Sequence, residues 1–220
     1  MSDEQLDLRP LAGLRVIEIG QLLAGPFTGT ILGYFGAEVI KVEPPEVGDP
    51  IRGWREVRDG TSLWWASLSR NKKCITLDLK TPKGQEVLKK LANTADVFVE
   101  NFRPGTMEKW GIGPDTFKEE NPGLIYARIS GYGQTGPAAS KAGFASVCEA
   151  FGGFRYVNGF PGEVPVRPNI SIGDTLAGIH AALGVLLAYI GRQKSGQGQV
   201  VDIAIFEGLF NLLEAVIPEY

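Results

Sequence analysis

The chain has 220 residues, 44% hydrophobic and 21% charged, which is enough for one large domain with a substantial core or two small ones and excludes a disordered or fibrous protein. Its 22 basic and 25 acidic residues leave a formal charge of −3, so no overall basic field draws it to nucleic acid or an anionic membrane, and an anionic ligand must be met by local groups. The two cysteines, Cys74 and Cys148, lie far apart and form no CxxC pair, which argues against a disulfide framework or a zinc site and leaves both as reduced structural residues.

The chain starts on an acidic stretch rather than a basic targeting segment, and the apolar run near 181–190 is too short to span a bilayer. The cytoplasm is therefore the expected compartment. In chain order, β-rich apolar runs at 14–19, 38–42, 74–79, 96–100, 124–129 and 199–205 read as strands. Helical patterns fall between them at 25–36 and at 81–95, the latter with Thr81 as N-cap and Pro82 at the first helical position. A Gly- and Pro-rich segment at 131–137 leads to a helix at 141–151, then to a turn-rich loop at 152–168. A long apolar helix follows, then a basic helix end and turn at 192–198, and a last helix at 207–217. This alternation predicts an α/β, doubly wound and largely parallel sheet with its ligand at the carboxyl ends of the strands.

Asp174 stands behind a glycine where the long helix begins. A carboxylate in the first turn faces free backbone N–H groups and the positive end of the helix dipole, which favour its ionised form. Two readings are open: a helix cap, or a nucleophile able to attack an activated acyl carbon. Leu176, Ile179, His180, Leu183, Leu187 and Ile190 recur at three- and four-residue spacing and are expected to share the buried face of the helix. His180, the sole histidine, is then a core residue, and with no G-x-S-x-G elbow a Ser-His-Asp triad is not supported. No cluster of His, Cys and carboxylates has metal-ligand spacing, so no metal is expected. Gly131-Tyr-Gly-Gln-Thr-Gly136 matches G-x-G-x-x-G, but Pro137 follows it and no helical pattern opens there. Lys80, Arg103 and Lys109 fall near one carboxyl edge of a parallel sheet, where they meet either phosphates or solvent. Trp54, Trp64 and Trp65 are read as core or as a cover over an apolar or planar part of a ligand.

Seven segments occur in an order that resembles the family III coenzyme A transferases, which include formyl-CoA transferase and the α-methylacyl-CoA racemases. They are Leu22-Leu-Ala-Gly-Pro26, Gly36-Ala-Glu-Val-Ile-Lys-Val-Glu43, Asn71-Lys-Lys73, Asp96-Val-Phe-Val-Glu-Asn-Phe102 with Pro104-Gly105, Gly131-Tyr-Gly-Gln-Thr-Gly-Pro137, Gly173-Asp174 and Gly196-Gln-Gly-Gln199. The resemblance covers nearly the whole chain and favours the nucleophile reading of Asp174. It implies that Asp174 attacks an acyl-CoA thioester, that an aspartyl anhydride and then an aspartyl-CoA thioester form, and that an incoming acid reverses the sequence. By position it implies a CoA site at Leu23, Ala24, Leu77, Asp78, Leu79, Lys80, Asn101, Phe102, Arg103 and Lys109. Lys109 and Pro44 stand where formyl-CoA transferases have arginines. CoA and acyl-CoA are substrates in this scheme, with no permanently bound cofactor.

The racemase branch needs a histidine in a Gly-His-Asp segment, and here Gly143-Phe-Ala145 occupies that place, so acyl transfer is the better fit. The loop at 159–169 sets Arg167 close in sequence to Asp174, where it can pair with a second carboxylate of the acid. The expected acceptor is a dicarboxylic acid, with succinyl-CoA as donor. The resemblance further implies a Rossmann-like CoA-binding large domain at 1–205, a linker helix beginning at 206–220 toward a small second domain, and a homodimer of interlocked chains in the full-length form. The alternative from another class is a non-catalytic CoA-binding or assembly subunit.

Overall fold

The computed structural model describes residues 8–219. The elements, in chain order, are β1 (Arg15–Glu18), α1 (Ala24–Tyr34), β2 (Glu38–Glu43), β3 (Val57–Arg58), β4 (Thr61–Ser62), α2 (Leu63–Leu68), β5 (Lys72–Thr76), α3 (Pro82–Ala92), β6 (Val97–Glu100), α4 (Thr106–Lys109), β7 (Ile125–Ser130), α5 (Ala145–Phe151), α6 (Ile172–Ser195), β8 (Val200–Ala204), α7 (Ile205–Phe210) and α8 (Val216–Glu219). Six strands form one sheet in the order β5-β2-β1-β6-β7-β8, with every pairing parallel. The order reverses between β1 and β6, the switch point at which doubly wound sheets open a crevice beyond the strand ends.

The central strands are covered on both faces, as their near-continuous apolar runs require. Successive residues alternate between two cores. Val16, Val97, Val99 and Ala127 pack with α1 and α6 residues on one face, whereas Ile17, Phe98 and Tyr126 pack with Leu88 of α3 on the other. The N-terminus of α3 follows the expectation: Thr81 Oγ1 accepts from the Gly84 N–H at 3.1 Å, and Pro82 fills the first helical position.

Several expectations need correction. The third sheet strand spans Lys72–Thr76 rather than 74–79. After it, Asp78 turns the chain, its Oδ1 accepting from the Lys80 N–H at 3.0 Å while its carbonyl accepts from Thr81. Ile179, Leu183, Leu187 and Ile190 are exposed, and the buried face of α6 is instead Ala177, Gly178, Ala181, Ala182, Val185 and Ala188. Close approach decides this: a Cβ on Gly178 would lie 3.0 Å from the Ala24 carbonyl oxygen and one on Gly184 would lie 2.6 Å from a Val201 methyl, so only a small-residue face can seat against α1 and β8.

The helix is also longer than its apolar run suggested. At 24 residues it is long and apolar enough to cross a membrane by length and composition, yet its small face lies in the core. Cys74 is exposed, so only Cys148 is a buried structural thiol. The last predicted helix is broken, α7 ending at Phe210 and α8 beginning at Val216 after Glu214 adopts a positive φ of 50°. Ile205, Leu209 and Leu213 from this segment are buried.

Candidate active site

A cavity of about 380 Å³ opens at the switch point. The loop after β1 supplies Gln21, Leu22 and Leu23 to its wall, the loop after β6 supplies Asn101 to Pro104, and β7 ends in it with Ser130 and Gly131. Lys141, Phe144, Ser146, Arg167, Ser171 and Asp174 complete the side formed by the second half of the chain. Two glycines make this convergence possible. A Cβ on Gly131 would sit 2.7 Å from the Gly143 Cα, and one on Gly20 would sit 3.0 Å from Asn101 Oδ1.

The first wall is fixed by polar clamps. Asn101 Oδ1 accepts from the Gln21 N–H at 2.8 Å and its Nδ2 donates to the Gln21 carbonyl at 2.9 Å, so this side chain ties the β1 loop to the β6 loop. Glu100 is fully buried, accepts from the Phe102 N–H at 2.7 Å and pairs with Arg128 at 2.8 Å. Burial pushes its carboxyl up to about 7 against the pull of Arg128. Arg128 also grips Glu108 of α4 with both terminal nitrogens, at 2.6 and 3.1 Å. Phe102 and Arg103 therefore project from a loop anchored on both sides.

Asp174 lies in the first turn of α6, after Ser171 as N-cap. It caps nothing: no side-chain cap bond closes this helix end, and among the described residues no hydrogen bond or ion pair to its carboxylate is found. Burial first, and the charge of Glu149 second, push its carboxyl up to about 6, against a downward pull from Arg167. The expectation that the helix end would favour ionisation is thus outweighed by desolvation. Glu149 of α5 is fully buried and accepts from Arg155 at 3.4 Å and from Arg167 Nε at 3.3 Å. That contact sets Arg167 in the cavity wall, and among the described residues its two terminal nitrogens have no hydrogen-bond partner.

Of the residues singled out from the sequence, Leu23, Asn101, Phe102, Arg103, Arg167 and Asp174 meet at this cavity. Ala24 is buried directly behind Leu23 as the first residue of α1. Leu77, Asp78, Leu79, Lys80 and Lys109 are not on the cavity wall. β5 is the outermost strand on its side of the sheet, so Leu77 and Leu79 reach only the apolar cluster that holds Phe102 and Trp110. Asp78 and Lys80 are exposed in the turn, and Lys109 is exposed at the end of α4.

Trp54 lines the cavity, whereas Trp64 and Trp65 pack around Leu23, Ile51 and Leu68, capped by Arg55 at 4.4 Å and Arg52 at 3.7 Å from the ring centroids. His180 lies off the cavity wall, its Nδ1 2.8 Å from the Leu176 carbonyl. Sequence reasoning misses Gln21, Lys141, Ser146 and Glu149. Lys141 was visible only as the start of a helix, and nothing local marks Glu149.

Fold and cavity together define a doubly wound α/β protein with a pocket at its switch point whose charged lining, among the described residues, is Arg103, Lys141, Arg167 and Asp174. Residues 11–220 match the family model described as CoA-transferase family III, and the chain belongs to that family. It is 58% identical over 213 residues to succinyl-CoA–D-citramalate CoA-transferase of Chloroflexus aurantiacus, covering 96% of this chain and 53% of that protein. It is 38% identical to human succinyl-CoA:glutarate CoA-transferase, covering 97% of this chain and 49% of the relative. A CaiB/BaiF family protein from Brucella suis superposes with a TM-score of 0.91 at 36% identity, covering 96% of this chain and 57% of the other. The chain spans about half the length of the curated relatives it matches.

Proposed function

We propose that this chain carries the CoA-binding, nucleophile-bearing part of an enzyme that moves coenzyme A between succinyl-CoA and a dicarboxylic acid. The observation that carries the reading is the Asp174 carboxylate, unpaired among the described residues, in a cavity whose other charged lining groups among them are Arg103, Lys141 and Arg167. Three cations around one carboxylate give a local positive excess in a chain whose formal charge is −3, which suits a polyanionic thioester and an acid.

In the proposed reaction Asp174 attacks the thioester carbonyl carbon, the C–S bond breaks, and CoA leaves as thiolate from a mixed anhydride. The thiolate then attacks the Asp174 carbonyl, forming an aspartyl-CoA thioester and releasing the donor acid as carboxylate. An acceptor carboxylate attacks that thioester, and the same two steps in reverse give the new acyl-CoA and restore Asp174. Each step exchanges one activated carboxyl for another, so no general base is required. Free N–H groups in the first turn of α6 are suited to stabilise the oxyanions.

With its carboxyl at about 6, Asp174 is mostly ionised at neutral pH. Cys148 does not compete as nucleophile: it is buried, donates to the Gly131 carbonyl at 3.3 Å, and burial pushes its thiol up to about 11. Phe144 on the cavity wall offers no proton acceptor, which favours acyl transfer over racemisation.

The names of the two relatives pair succinyl-CoA with citramalate and with glutarate, both dicarboxylates. For this chain the matching device is Arg167, whose terminal nitrogens are left to grip a distal carboxylate while Glu149 holds its Nε. We extend the reading to residues 1–205 as a CoA-binding large domain, to an interlocked homodimer in the full-length form and to a cytoplasmic location. A CoA-exchange assay over a panel of acceptors tests the substrate class. Arg167→Ala should lower kcat/KM for dicarboxylic acids by roughly 10- to 100-fold, as loss of a charge-assisted contact predicts, and leave monocarboxylic acids little changed. An equal loss for both groups would defeat the assignment.

A further inference from the structure

We infer that Asp49 is a positioning residue for the donor side of the cavity, holding Leu22 in a left-handed backbone conformation so that the Leu22–Leu23 edge faces the incoming acyl-CoA. This rests on the reading of the cavity as the acyl-CoA site.

Leu22 has φ 63°, in a region that a branched L-residue rarely occupies without support. Its N–H donates to both oxygens of Asp49, at 3.0 and 3.2 Å. Asp49 is 1% exposed, and its Oδ1 also accepts from the Ile51 N–H at 3.0 Å. Its Oδ2 lies 2.8 Å from Lys41 Nζ. The same ammonium donates to the Gly20 carbonyl at 2.8 Å and pairs with Glu18 at 3.0 Å, and Glu18 in turn meets Lys72 Nζ at 2.8 Å.

Two carboxylates and two ammonium groups thus form a buried cluster beneath the loop after β1, and two of its members, Lys41 and Asp49, also bond the backbone of that loop. Lys41 holds Gly20, Asn101 holds both backbone groups of Gln21, and Asp49 holds Leu22. A cluster serving stability alone could be replaced by packed apolar residues. Here the cluster ties down Gly20 and Leu22, and Asn101 holds Gln21 between them, so the segment that presents Leu22 and Leu23 to the ligand is fixed at three successive residues.

The test is a double-mutant cycle. Glycine takes φ 63° without strain, so Leu22→Gly should make the clamp dispensable. Asp49→Asn alone should raise the donor KM about tenfold, the scale of one charge-assisted hydrogen bond, with kcat near the unsubstituted value. In the Leu22→Gly background the same change should raise KM by less than about twofold. An equal rise in both backgrounds, or a fall in kcat with KM unchanged, would overturn the inference.

If Asp49→Asn does not fold, Leu22→Gly and Leu22→Ala are compared. Both remove the side chain, and the glycine variant should melt higher and keep the lower donor KM; equal or reversed values would overturn the inference. Hydrogen exchange at the Leu22 amide separates the clamp from the reading beneath it. Faster exchange in Asp49→Asn supports the clamp, and unchanged exchange overturns it. A protein that binds no acyl-CoA at all overturns the reading of the cavity, and with it the role given to Leu22.

Discussion

Replacing Asp174 by asparagine should stabilise the protein above pH 6 while abolishing CoA exchange. The carboxyl is lifted from 3.8 to about 6, with burial the first cause. Two units correspond to ~3 kcal/mol at 1.36 kcal/mol per unit, and the part-exposed position of the residue trims this to ~1–2 kcal/mol. Because the folded-state pKa lies above the unfolded one, the folded protein binds the extra proton. The ionised carboxylate therefore costs stability fully above about pH 6, progressively less between about 6 and 3.8, and not at all below that range. Asp174→Asn removes the titration, so its advantage over the unsubstituted protein should grow by ~1–2 kcal/mol from pH 4 to pH 8. For a chain of this size that is about 2–8 °C in Tm. Thermal melts of both proteins across that range measure the gap. A gap that stays constant with pH, or shrinks as pH rises, would refute the picture of Asp174 as an unpaired carboxylate held against its solvation preference.

Glu149→Gln removes the like charge that helps raise Asp174, so the acid limb of the kcat/KM profile for the donor should move to lower pH; Arg167→Ala should move it to higher pH, and an unmoved limb in both would contradict the electrostatic coupling. Gly131→Ala would drive a Cβ to 2.7 Å from the Gly143 backbone and should cost ~1–3 kcal/mol in urea unfolding, whereas a loss below ~0.5 kcal/mol would mean that the two strands of backbone do not meet so closely. Tyr126→Phe removes a buried hydroxyl that donates to the Ile112 carbonyl at 2.8 Å and leaves that oxygen without this donor. It should cost ~1–2 kcal/mol by the same measurement, and no loss would show that the contact carries no net stability.

The sheet was legible because its central strands are buried on both faces and read as apolar runs: the strand expected at 124–129 is β7, Ile125–Ser130. Helix starts marked by local chemistry were legible too, as Thr81 and Pro82 demonstrate. The orientation of α6 was not. Apolar spacing groups Ile179, Leu183, Leu187 and Ile190 on one face, but the helix also carries a face of alanines and glycines, and the closeness of α1 and β8 selects that one. The ribbon β3–β4 turns on Asp59-Gly60, both at positive φ of 49° and 75°. That is a hairpin signal carried by strands of only two residues each, too short to stand out as apolar runs. At the site, Asp174 and the loops after β1 and β6 were within reach of sequence reading, since the fold class fixes where strands end. Glu149 and Arg167 meet across a turn-rich loop, and the network of Glu18, Lys41, Asp49 and Lys72 joins three separate segments. Only tertiary packing brings such charges together.

Covalent activation of Asp174 can be trapped chemically. The protein is incubated briefly with succinyl-CoA and hydroxylamine, then measured by intact mass and peptide mapping beside Asp174→Ala. A hydroxamate on Asp174 that is absent from the variant is the predicted result. An unmodified Asp174 in a protein that binds CoA, with succinyl-CoA and with other acyl-CoA donors alike, would contradict the account and make this a CoA-binding chain without the chemistry.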